Sequence, residues 1–87
     1  MTVLRFDVGR GDDVATLSCD LLLVPVREDD LGSAALRRLD ATFGKSLRQR
    51  ARQAGFRAQE GRSYLHRLDP GSRVKAVVLL GLGKGKQ

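Results

Sequence analysis

The sequence predicts an α/β domain with a mixed sheet, its elements running in the order β-β-α-β-β, and three observations carry that reading. Asp20 is followed by six apolar residues, Leu21–Val26, with charge on both sides. A solid apolar run of that length reads as a strand buried on both faces. Behind it, an acidic turn leads into a stretch with apolar residues at helical spacing. A second apolar run, Val74–Leu82, closes the pattern after that helix.

The elements follow in order. Thr2–Val8 alternates, with Leu4, Phe6 and Val8 on one side and Arg5 and Asp7 on the other, as a half-buried strand does. Gly9–Asp13 is a turn signal, and Val14–Ser18 reads as a connection or a short strand. Asp20–Val26 is the central strand. Pro25 has no N–H to give a ladder, so it belongs at that strand's end or beside an unpaired neighbour. Leu36, Leu39, Phe43, Leu47, Ala51 and Ala54 recur every three or four residues, which predicts one long helix or two short ones meeting at Gly44. Asp29 and Asp30 precede its start, where negative charge favours the helix dipole. Ser33 suits the N-cap and Gly55 the C′ position. Arg57–Arg62 is polar and irregular. Ser63–Leu68 is a short strand, and Asp69-Pro70-Gly71-Ser72 is a turn. The connection through the helix is long enough to bring the next strand parallel to the central one. The short link between the last two strands makes an antiparallel hairpin. Gly83–Gln87 reads as a flexible tail.

Composition narrows the function classes. Eighty-seven residues make one domain, burying about 60% of its unfolded surface, so stability is marginal without help. An apolar content of 41% is that of a folded protein. A single cysteine, Cys19, rules out an intrachain disulfide and fits a reducing compartment. No secretory leader is visible in Met1–Gly11, and no apolar run approaches the roughly 20 residues a spanning helix requires. A cytoplasmic protein is the expectation. The net charge of +6 rests mainly on arginine, twelve Arg against four Lys. Such charge admits a nucleic-acid partner, but it also follows from base composition alone.

No set of residues assembles into a catalytic constellation, so the chain reads as a module of something larger. His66 is the only histidine. A zinc site requires three or four ligands, so the plainer reading is a partly exposed strand histidine. Cys19 reads as a small buried hydrophobe, not a nucleophile with a base at hand. The pairs Asp12-Asp13 and Asp29-Asp30 lack the spacing of a calcium loop. Gly81, Gly83 and Lys84 end a strand, where glycine lets backbone N–H groups approach a phosphate. Yet no Ser or Thr follows the lysine, so the stretch is no P-loop. Arg37, Arg38, Lys45, Arg48, Arg50 and Arg52 form a basic helix stripe opposed only by Asp40. That stripe is a possible phosphate-backbone contact, without the aromatics that stack on single strands.

Three segments taken together resemble the N-terminal domain of the leucyl aminopeptidase (cytosol aminopeptidase) family. They are Asp20–Val26, then Leu31-Gly-Ser-Ala-Ala-Leu36 with Leu39-Asp40, and Val74–Lys84 with its Val-Val-Leu-Leu-Gly-Leu-Gly core. Their order and spacing fit from about residue 2 to residue 84. The resemblance implies part of a macro-like α/β domain spanning 1–87, incomplete as it stands and without catalytic or metal-binding residues. In the family, peptide hydrolysis belongs to a C-terminal domain holding two divalent metals, zinc, manganese or magnesium. The partners implied are that catalytic domain and sister subunits in a hexamer. Some bacterial members are thought to bind DNA as well, which adds to the arginine-stripe reading. Macro domains proper bind ADP-ribose; this version is not expected to.

Overall fold

Two long apolar strands and two short alternating ones can share a sheet in few ways. The long ones must lie inside, because only interior strands hide both edges and both faces. The computed structural model describes residues 2–6, 18–44, 47–69 and 71–84. They form β1 (Val3–Arg5), β2 (Cys19–Val26), a 3-10 turn (Glu28–Gly32), α1 (Ala34–Leu39), a wide π turn (Asp40–Gly44), α2 (Leu47–Gln53), β3 (Ser63–Arg67) and β4 (Val74–Gly81). The four strands make one mixed sheet in the order β1-β2-β4-β3. β1, β2 and β4 are parallel neighbours, and β3 runs antiparallel along β4.

The α/β class is thus as expected, with one correction to the topology. The strand after the helices was expected to run parallel to β2. It is β3, which takes the outer edge, antiparallel to β4. The parallel partner of β2 is β4, with Leu22 opposite Val77 and Val24 opposite Leu79. The reason lies in side chains: β4 is apolar on both faces, whereas β3 alternates Ser63, Leu65 and Arg67 with Tyr64 and His66. The charged, alternating strand belongs at an edge.

The helices cover one face. Leu36 and Leu39 of α1 and Leu47 and Ala51 of α2 join Leu22, Val24, Val26, Val77 and Leu79 in a single core cluster. On the opposite face Leu21, Leu23, Pro25, Ala76, Val78 and Leu80 are only half-buried, and Val3 and Leu65 are exposed. Alternation slips once. The N–H groups of both Asp20 and Leu21 donate to the carbonyl of Thr2, the two-against-one pairing of a bulge. Cys19 and Val74, opposite one another, are buried despite it. Pro25 lies two residues beyond Leu23, the last residue of β2 with a register partner on β1.

Capping explains the helix limits. The Ser33 hydroxyl accepts from Leu36 N–H at 3.3 Å and starts α1. The helical run breaks into a π turn ending at Gly44, the glycine expected to divide it. At the end of α2, Gly55 takes φ +84°. Its N–H donates to Arg52 and the N–H of Phe56 to Ala51. That pair of bonds is the Schellman motif, with Phe56 and Ala51 both buried as its hydrophobic contact. Met1, the stretch Asp7–Leu17, Lys45, Ser46, Pro70 and the last three residues lie outside the described residues, and with them the end of the first strand, the turn with Asp12 and Asp13, and most of the tail.

Candidate functional site

A backbone strap from Phe56 to Arg62 crosses the carboxyl end of β4 and fixes the candidate site. Ala58 turns it with φ +62° and is fully buried. Its carbonyl accepts from Gly83 N–H at 2.8 Å, and Arg62 accepts from Gly81 N–H at 2.8 Å. Leu82 donates to Val26, so the N–H groups of Gly81, Leu82 and Gly83 all point into the fold. A side chain on Gly81 would meet the carbonyl carbon of Ala58 at 2.7 Å. Close backbone packing is therefore sufficient reason for that glycine. Gly83, placed by the sequence in a flexible tail, is buried, and its carbonyl accepts from Glu28 N–H. Lys84 is exposed beside it.

The strap and α2 enclose a hollow of about 240 Å³. Its floor is Leu31, Leu36, Ala51, Phe56 and Leu79; its remaining lining is Arg48, Arg52 and Arg57. Arg48 and Arg52 are one turn apart on α2, where i and i+4 side chains are neighbours. Arg57 arrives from the other side because the Schellman turn sends the chain back over the helix. Among the described residues no carboxylate lines the hollow. It lies at the carboxyl ends of the parallel strands: Leu31 is in the 3-10 turn after β2, and Leu79 is near the end of β4.

The expected basic stripe is divided. Arg37 and Arg38 are exposed on α1, across the π turn from α2. Arg48 and Arg52 line the hollow, and the Arg48 N–H donates to the Asp40 carboxylate at 3.4 Å. Arg50 bears on His66 instead. Lys45 lies outside the described residues. Arg57 and Phe56 were not singled out in the sequence. The available signal was Gly55, whose left-handed cap reverses the chain and brings both back to α2.

His66, expected to be partly exposed, is buried at 8% of its full accessibility. Its side of β3 faces α2, and its ring lies 6.2 Å from that of Tyr64. Burial first, then the Arg50 charge, lowers its pKa from 6.5, with Asp40 opposing. Burial and the Arg50 charge favour the neutral imidazole. Cys19 is buried, and its thiol pKa is pushed up, chiefly by burial, with the Asp20 charge adding to it; backbone hydrogen bonds at Leu4 and Leu21 pull the other way. That setting disfavours a thiolate nucleophile. Among the described residues no three His, Cys, Asp or Glu side chains gather as a metal site. None of the described helices is long and apolar enough to cross a membrane.

Comparison with known proteins gives one match. The model of the cytosol aminopeptidase family, N-terminal domain, matches residues 23–87. It starts inside β2 and takes in both helices, β3 and β4. No curated protein and no solved structure matches the chain.

Proposed function

The chain belongs to the cytosol aminopeptidase family through its N-terminal domain, and on that premise we propose that it is a non-catalytic packing and assembly module. Its partners are the catalytic domain of a metal-dependent leucyl aminopeptidase and sister subunits, in a cytoplasmic hexamer. The two divalent metals, zinc, manganese or magnesium, belong to that catalytic domain. Among the described residues no three His, Cys, Asp or Glu side chains gather to hold them, and no hydrolytic step is assigned to these residues. The sheet is read as part of a macro-like domain.

The observation supporting this reading is the open face of the sheet. Leu21, Leu23, Pro25, Val78 and Leu80 form an apolar surface without a layer over it among the described residues. Apolar patches of this kind mark interfaces. The pure chain is expected to self-associate in analytical ultracentrifugation, and to release no leucine from a leucyl substrate with manganese or zinc added. Leu23→Asp with Val78→Asp is expected to make it monomeric while its circular dichroism is retained. A wild-type monomer with a cooperative melt at high temperature contradicts the packing role; leucine release contradicts the non-catalytic one.

A second reading, a small nucleic-acid-binding module, is supported by the exposure of Arg37, Arg38, Arg50 and Arg52. It requires affinity for duplex DNA that falls steeply with salt and that Arg37→Glu with Arg38→Glu removes.

A further inference from the structure

We propose that the hollow between α2 and the strap binds a small organic anion, a carboxylate on a short branched-aliphatic body that carries no ammonium group. This goes beyond the assembly role above and stands independently of it. The floor of Leu31, Leu36, Ala51, Phe56 and Leu79 accepts hydrocarbon. Arg48, Arg52 and Arg57 line the same space without a carboxylate among them. Three arginines lining one hollow bring like charges to it, and an anion there would gain charge-assisted hydrogen bonds. A planar carboxylate matches the guanidinium fork.

The lining also says what is refused. An amino acid brings an ammonium group, and among the described lining residues no carboxylate pairs with it. Inorganic phosphate would satisfy the arginines but leave the apolar floor wet. At about 240 Å³ the space falls below the roughly 300–1,000 Å³ of drug-sized pockets, which excludes a dinucleotide-sized ligand. The floor and the strap are preformed. The Schellman bonds hold Phe56 over Ala51, and Gln59 ties the strap by accepting from Arg57 N–H at 2.7 Å and donating to the Gly55 carbonyl at 3.4 Å. A preformed site does not have to be ordered by its ligand.

The test uses the full 87-residue chain and three probes: isocaproate, leucine and inorganic phosphate. Isocaproate is leucine's carbon skeleton without the amino group, so the pair isolates the ammonium. Amide shifts in heteronuclear NMR spectra and the melting temperature are followed together. Isocaproate is expected to move the amides of Arg48, Ala51, Arg52, Phe56 and Arg57 saturably and to raise the melting temperature. Leucine and phosphate are expected to bind roughly tenfold more weakly or worse. Arg52 and Arg57 are exposed, so Arg52→Gln with Arg57→Gln retains the fold and is expected to lose about tenfold in isocaproate affinity. Ala51→Leu fills the floor while keeping every charge, and is expected to abolish binding. Arg37→Gln with Arg38→Gln, outside the hollow, is the control and changes nothing. Absence of isocaproate shifts at millimolar concentration overturns the proposal. So does equal binding of leucine or phosphate, or unchanged affinity in the Arg52/Arg57 variant.

Discussion

The two faces of this sheet are built from the same strands and nearly the same residues, yet among the described residues only one carries a layer of helices. On the covered face Leu22, Val24, Val26 and Val77 are fully buried under α1 and α2. One position along, Leu21, Leu23, Ala76 and Val78 are equally apolar and only half-buried. A surface strand of an antiparallel sheet would alternate apolar with polar. β2 and β4 do not alternate, so their composition was set for burial on both sides. The second face has the composition of a core where the described residues place no layer over it, and this supports the packing and assembly role proposed above.

Substitution can break that comparison, the largest effect first. Leu22→Ala, with its side chain fully buried, is expected to cost about 2–5 kcal/mol in chemical denaturation. Leu23→Ala on the open face is expected to cost only about 1 kcal/mol in the isolated chain. Equal losses would show that the two faces are equally covered. Gly81→Ala comes next, at about 1–3 kcal/mol. Gly81 lies on the covered face, and its new Cβ would press on backbone of Ala58 and Gln59, which cannot swing aside.

Gly55→Ala sharpens the point by contrast. Nothing lies within 4 Å of its added Cβ, so the whole cost is that of placing alanine at φ +84°, about 1–2 kcal/mol. The glycine at the strand end is required by crowding, the one at the helix end by handedness. The smallest expected effect is a pH dependence confined to the covered face. His66 is held below its ordinary pKa of 6.5, chiefly by burial and then by Arg50. The unfolded chain binds the extra proton, so this contribution is complete above that value and is lost as the pH falls through it. Thermal melts across that range are expected to flatten in His66→Gln. The dependence is expected to weaken in Arg50→Gln and to strengthen in Asp40→Asn, because Asp40 favours the protonated ring.

Much of this architecture is legible in the amino-acid sequence. The apolar runs of β2 and β4, the Ser33 and Gly55 caps and the break ending at Gly44 are local signals, written in neighbouring residues. The errors were all of longer range. Alternation made His66 a strand residue, but only the position of α2 over β3 buries it. The edge placement of β3 depended on competition with β4 for the interior, which no single segment states. The hollow was half legible. Arg48 and Arg52 stood out as helix neighbours, while Arg57 and Phe56 join them only through the reversal at Gly55. Glycines that looked suited to a phosphate are accounted for by the strap, a contact between residues far apart in sequence.

The pairing of β2 with β4 also constrains how the chain acquires its shape. Leu22 and Val77 sit opposite one another although more than half the sequence separates them. During synthesis β1, β2 and the helices are made before β4. Until it arrives, β2 has one edge open and the helices have half a floor. Parallel pairs of this span are slow to close, because loop entropy is lost before any contact is gained. The nascent chain therefore passes through an interval in which its most apolar strand is exposed, and co-translational chaperone capture is expected to centre on Leu21–Val26.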